Sequence, residues 1–64
     1  MNIKGLDALP SGSVVGTKDH AWRALKSADG TFNMWFRTGS AHVYKSGSVN
    51  ANRPIFVYEN KENA

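Results

Sequence analysis

The chain has no cysteine, only two prolines and two histidines among its 64 residues, and no long apolar run. The absence of cysteine excludes disulfide bonds, thiolate nucleophiles and cysteine-based zinc sites. No segment approaches the roughly 20 apolar residues of a membrane-spanning helix, and no signal-peptide core follows Met1. These absences predict a cytoplasmic protein without a membrane partner.

Apolar residues are nevertheless plentiful. They make up 41% of the chain, and aromatic residues make up 11%, which is too rich for a disordered segment. A domain this small buries only about 60% of the surface that its unfolded chain exposes. We expect one complete small domain over residues 1–64, with 1–9 as an N-terminal segment and 60–64 as a polar tail. Its thin core needs close packing, or a second copy of the chain, for stability.

Turn-forming residues recur every eight to ten positions and separate short apolar segments, a pattern typical of an all-β domain. Asp29-Gly30 predicts a tight turn that joins two of these segments as an antiparallel hairpin. The five predicted strands are 13–16, 21–26, 31–38, 41–45 and 54–59. The predicted fold is a small five-stranded antiparallel barrel or strongly bent sheet, SH3-like, with an OB-like barrel as the alternative.

The segment 31–38 alternates between two sets of side chains, which a strand places on opposite faces. If the more apolar set fills the core, Trp35 and Arg37 lie exposed beside Asn33, with Arg23 of the neighbouring strand on the same outer face. We interpret these four residues as a partner-binding site, with Trp35 and Arg37 as anchors. The two sets are Phe32, Met34 and Phe36, and Asn33, Trp35 and Arg37.

This aromatic–basic face has three interpretations. Trp and Arg dominate protein-binding hot spots, but an exposed Trp35 can also stack a nucleic-acid base while arginines hold phosphate. The net charge of +3 favours an acidic partner surface and is low for a nucleic-acid module. In the third interpretation, Leu6 and Leu9, on one face of a single helical turn, cover Trp35 and make it part of the core.

The last strand is apolar on both faces because Phe56 and Tyr58 alternate with Ile55 and Val57. Closure of a barrel can cover the second face. The alternative is self-association through Phe56 and Tyr58, which would give a homodimer or a virion assembly protein.

Catalytic groups are sparse. Ser40 and His42 share a strand face, but nothing beyond their proximity indicates a nucleophile and its base. His20, His42 and Asp19 lack the spacing of a zinc site. The sequence therefore predicts no enzyme, no catalytic residue, no metal and no cofactor.

The opening Leu9-Pro10-Ser11-Gly12-Ser13-Val14-Val15, followed by Ala21-Trp22-Arg23, resembles small orphan proteins of bacteriophages that infect actinobacteria. In those proteins an ALPxGSVV opening precedes a Trp-bearing strand and a glycine-turn-aromatic hairpin. The resemblance covers roughly residues 6–37, and the segment after Tyr44 has no counterpart. It implies a viral origin and a β-barrel-like fold, and it assigns no activity.

Together these features predict a non-enzymatic small binding module, a phage accessory protein of the host cytoplasm that engages a host or viral protein. The alternatives are a nucleic-acid-binding β-barrel that uses the same face, and the self-associating assembly protein.

Overall fold

The chain folds into one antiparallel sheet of five strands with two short helices. A computed structural model describes residues 2–60, and residues 61–64 of the predicted polar tail lie outside this range. The five predicted strands are confirmed. In chain order the elements are α1 (Ile3–Ala8), β1 (Val14–Gly16), β2 (Ala21–Lys26), β3 (Asn33–Arg37), β4 (Val43–Lys45), α2 (Ser46–Asn50) and β5 (Phe56–Glu59).

The sheet is open, so the predicted closure into a barrel is wrong. Its strand order is β4-β3-β2-β1-β5, in which β1 to β4 form a meander and β5 returns to pair with β1. Strands β4 and β5 lie at the two edges. Strand β4 has three residues, and α2 begins directly after it.

The helix α2 is absent from the sequence prediction, because Ser46, Gly47 and Ser48 are typical of turns. Tertiary packing, and not the intrinsic helix propensity of these residues, stabilises this helix. Val49 is fully buried, and α2 contacts α1, β3 and β4.

Both helices pack on one face of the sheet, which we call the inner face. Contacts join α1 to β3, α2 to β3 and β4, and the two helices to each other. The core lies between the helices and the sheet, and Tyr44 packs against it. The buried apolar residues of this core are Leu6, Leu9, Val15, Trp22, Ala24, Trp35, Val49 and Ile55.

The face of β3 that packs against the core is not the face that its apolar content predicts. Asn33 and Trp35 are fully buried, whereas Met34 and Phe36 are half-buried on the other face. The register gives the reason: Trp35 pairs with the buried Ala24, and directly paired residues share one face of a sheet. The predicted assignment of Met34 and Phe36 to the core is therefore wrong.

The N-terminal segment covers Trp35. Leu6 and Leu9 belong to the same buried cluster as the Trp35 indole, which confirms the interpretation in which these leucines pack over it. The helix α1 begins after Asn2, whose side-chain Oδ1 accepts a hydrogen bond from the Gly5 N–H at 2.8 Å. This cap satisfies one of the free donors at the start of a short helix.

Asn33 attaches α1 to the sheet. Its Nδ2 donates to the carbonyl oxygens of Leu6 at 2.7 Å and Leu9 at 2.8 Å. Its backbone N–H donates to Oδ1 of Asp7 at 3.1 Å. The Leu6 carbonyl also accepts a hydrogen bond from the Leu9 N–H at 3.3 Å, so the buried amide of Asn33 adds a second donor to Leu6 and supplies a donor to Leu9 at the end of α1, where backbone carbonyls have no partner within the helix.

A second set of hydrogen bonds joins α2 to Trp35 of β3 and to Asp7 of α1. The Nε1–H of Trp35 donates to Oγ of Ser46 at 2.9 Å, and the Ser46 hydroxyl donates to Oδ1 of Asp7 at 2.5 Å. Trp35 thus makes a specific hydrogen bond within the core as well as apolar contacts. Since a buried indole N–H is costly without a partner, this bond fixes the orientation of the ring.

The turn between β2 and β3 is held by Asp29. Its Oδ1 accepts hydrogen bonds from the hydroxyls of Ser27 and Thr31, both at 2.7 Å, and from the Thr31 N–H at 3.1 Å. Gly30 has a φ of 76°, a conformation that favours glycine. The hydrogen bond from Ser27, together with those from Thr31, holds the pKa of Asp29 below its ordinary value of 3.8.

We expect Asp29→Asn to lower the free energy of unfolding at neutral pH and to have less effect in strong acid, where the Asp29 carboxyl of the wild type is protonated. A carboxylate whose pKa is lowered by folding stabilises the folded state above its unfolded pKa, and this contribution is lost as the pH falls through the folded pKa. Urea unfolding at both pH values measures the change, with Asp19→Asn in the exposed β1–β2 turn as the control. An equal loss for Asp29→Asn at both pH values would contradict the expectation.

Candidate functional site

The face of the sheet opposite the helices, which we call the outer face, is the main candidate site. Cross-strand pairing defines it as rows of side chains that run across the strands, with Phe56, Gly16 and Ala21 forming a third row beside the two that follow. The first row is Val14, Arg23, Phe36 and Val43, and the second is Leu25, Met34 and Lys45.

The outer face is largely apolar and open to solvent. The exposed fraction is 49% for Leu25 and 46% for Val43, while Val14, Met34 and Phe36 are half-buried. Within residues 2–60 both helices lie on the inner face, so no helix covers these side chains. Contiguous exposed apolar surface of this kind marks interaction sites in soluble proteins.

Two cations lie among these apolar residues. Arg23 is exposed between Val14 and Phe36 in the first row, and no described residue forms an ion pair with it. The Nζ of Lys45 lies 5.0 Å from the ring centroid of Phe32, a cation–π contact. The charge of the outer face is therefore positive at its centre and at one side.

The aspartates lie elsewhere. Asp7 is on α1 and contacts Ser46, Asp19 is in the β1–β2 turn, and Asp29 is in the β2–β3 turn. Glu59 at the end of β5 pairs with Val14, which makes it the described carboxylate closest in register to the outer face. Apart from Glu59, the rows contain apolar side chains and cations.

The four predicted partner-binding residues do not share a surface. Asn33 and Trp35 are fully buried, so the predicted exposure of Trp35 is wrong. Arg37 is half-buried and pairs with Trp22, which places it at the margin of the inner face. Arg23 alone lies on the outer face.

The residues predicted for self-association are accessible. Phe56 is 53% exposed and Tyr58 is 54% exposed on the edge strand β5, and the open sheet leaves them uncovered by strand closure. The Tyr58 hydroxyl donates to the carbonyl oxygen of Thr17, which ties β5 to the β1–β2 turn. Self-association through these residues stays a prediction.

The sparse catalytic groups do not converge in the described part of the chain. Within residues 2–60 no three His, Cys, Asp or Glu side chains are close enough together to hold a metal ion. The Ser40 hydroxyl accepts a hydrogen bond from the backbone N–H of His42 at 3.2 Å, and the His42 ring lies 4.5 Å from that of Tyr44. These contacts are local: they describe a turn and the packing of the exposed His42 ring on Tyr44, which itself packs against the core.

The sequence analysis missed Val14, Leu25, Val43 and Lys45 as members of a site. Hairpin register was the signal that could have identified the face. A turn centred on Asp29-Gly30 pairs Leu25 with Met34, as observed, and places both with the exposed set.

None of the helices in residues 2–60 is long and apolar enough to cross a membrane. Comparison of the chain with protein-family models, with curated proteins and with solved structures finds no match.

Proposed function

We propose that this protein is a non-enzymatic binding module that captures another protein through its outer face. The observation that carries the proposal is the contrast between the two faces of one sheet. The inner face packs against α1 and α2 around the buried Trp22 and Trp35, whereas the outer face presents Leu25 and Val43 nearly half exposed around Arg23. A protein partner that covers this face removes apolar surface from water.

The composition of the outer face favours a protein over a nucleic acid. Single-strand binders stack bases on exposed aromatic rings, but Trp22 and Trp35 are both buried. The aromatic rings of the outer face are Phe36, which is half-buried, and Phe56, which lies on the edge strand β5, while Leu25, Val43 and Met34 have no ring on which a base can stack. Two cations also provide few phosphate contacts, which salt would screen.

We also propose an SH3-like strand order and a phage origin for this protein. The position of β5 beside β1, with α2 between β4 and β5, supports an SH3-like strand order over an OB-like one. The resemblance of residues 6–37 to actinobacteriophage proteins supports a phage accessory factor that acts in the host cytoplasm on a host or viral protein.

We expect Leu25→Ser to weaken partner capture at least about tenfold, as truncation of a well-placed interface residue does. Ile3→Ser is the matched control, because Ile3 and Leu25 are both 49% exposed and Ile3 lies on α1. The wild type and both variants serve as affinity baits in a bacterial lysate, and mass spectrometry quantifies the bound proteins. Circular dichroism verifies that both variants fold.

A protein that binds the wild type and Ile3→Ser but is depleted from Leu25→Ser supports the proposal. Equal recovery of every bound protein on all three baits would contradict it. If the wild type bound a single-stranded oligonucleotide and Leu25→Ser lost this binding, the outer face would be a nucleic-acid site and the proposal would be wrong.

A further inference from the structure

We infer that the outer face takes a segment of another protein in which apolar side chains flank a carboxylate, and that Arg23 receives this carboxylate. The inference rests on the proposed function and specifies the chemistry of the partner. Its starting point is the position of Arg23 inside an apolar row, with Val14 on one side and Phe36 on the other.

Covering the outer face changes the energetics of Arg23. In the free protein, water solvates this exposed guanidinium, and no carboxylate among residues 2–60 pairs with it. A partner that packs on Val14, Phe36 and Leu25 must remove part of that water. An arginine keeps its charge in proteins, so burial without an acceptor is strongly unfavourable. The partner must therefore bring an acceptor to this position, and a carboxylate matches the guanidinium by two parallel hydrogen bonds.

Lys45 has less need of an acceptor from the partner than Arg23 has. Its ammonium already lies against the Phe32 ring, at one side of the second row, where it can remain in contact with water. We therefore assign the specificity of the face to Arg23, while Lys45 adds to the positive field that attracts an acidic segment.

A second copy of this chain does not meet the requirement. In a symmetric dimer the same surface meets itself. Each outer face has two cations, Arg23 and Lys45, against one described carboxylate beside it, Glu59 on the edge strand β5, so the excess positive charge of one face would repel the other. The net charge of +3 on each chain adds to that repulsion. The acidic segment must come from a different protein.

The test begins with an unbiased probe. A library of random peptides displayed on a surface is selected for binding to the wild-type chain, and the enriched peptides are sequenced. We expect them to combine apolar residues with at least one Asp or Glu. One enriched peptide is then synthesised with its acidic residue intact and with that residue replaced by its amide.

A double-mutant cycle locates the contact. The two peptides are titrated against the wild type, Arg23→Gln and the charge control Lys4→Glu, in which Lys4 is exposed on α1. We expect the acidic peptide to bind the wild type at least about tenfold more tightly than the amide peptide, and this preference to disappear in Arg23→Gln. Lys4→Glu should keep the preference.

The outcomes separate the inference from the proposed function. Peptides that lose binding in Leu25→Ser but show no coupling to Arg23 would overturn the inference and leave the proposed function standing. Enriched peptides without acidic residues would do the same. Failure to enrich any peptide, or binding that is indifferent to Leu25→Ser, would overturn both. Displacement of the peptide by oligodeoxythymidine would identify the face as a nucleic-acid site and overturn both as well.

Discussion

Trp35→Ala is expected to unfold the protein or leave it barely stable. The substitution removes a fully buried indole from the centre of the core, and such truncations cost about 3–5 kcal/mol. A core of this size rarely supplies more than about 3–5 kcal/mol in total. Urea unfolding, followed by far-UV circular dichroism, measures the loss, and near-UV circular dichroism reports whether the remaining indole of Trp22 keeps a fixed environment.

Phe36→Ala on the outer face is the control for this experiment. Phe36 neighbours Trp35 in β3 but is only half-buried on the other side of the sheet, so its truncation should cost clearly less. Trp35→Phe separates the packing of the ring from the Nε1–H hydrogen bond to Ser46, and we expect an intermediate loss. If Phe36→Ala unfolded the chain while Trp35→Ala remained stable, the assignment of the inner face would be wrong.

The strands and turns follow from local sequence. Gly30 adopts the positive φ that a tight hairpin needs, and the alternation of Trp22 and Ala24 with Arg23 and Leu25 matches their buried and exposed positions. These features depend on residues close together in the chain, so a single sequence contains the information.

The choice of face in β3 depends on distant residues. Alternation separates Trp35 from Phe36, but it does not say which side the helices cover. That is decided by contacts such as Asn33 to Leu6, 27 residues apart, and Ser46 to Asp7, 39 residues apart. Apolar content alone favours Phe36, because the buried set contains a polar amide whose role is visible only once α1 is in place.

The same reason explains how much of the candidate site was predictable. Arg23 and Leu25 share a face by simple alternation, and the sequence analysis correctly placed Arg23 on the outer side of the sheet. It grouped Arg23 with the Trp35 face of β3, which is the wrong face. The pairing of Arg23 with Phe36 becomes apparent only when the hairpin register is worked out. The helix α2 was also unpredictable, because it forms from turn-like residues that only tertiary packing makes helical.

Substitution of Asn33 is the second change for which we expect a large loss of stability. We expect Asn33→Asp, which keeps the shape of the side chain, to lower the free energy of unfolding at neutral pH by about 2–4 kcal/mol. The native Nδ2 donates to the carbonyls of Leu6 and Leu9, whereas a carboxylate oxygen in its place can only accept. Two hydrogen bonds are lost, and two buried carbonyl oxygens face a negative charge.

The pH dependence of this variant distinguishes the mechanism from a general loss of packing. Burial and the facing carbonyls disfavour the charged form, so the pKa of the introduced carboxyl is raised in the folded state. The folded protein then binds a proton more tightly than the unfolded chain, and stability relative to the wild type rises as the pH falls through the raised pKa. The protonated carboxyl can again donate one hydrogen bond to α1. Asn33→Ala loses the same two bonds but has no titratable group, so its deficit should stay constant with pH. Parallel urea titrations across the acidic range compare the two variants, and identical pH profiles would show that the amide of Asn33 does not hold α1 on the sheet in the way that its hydrogen bonds indicate.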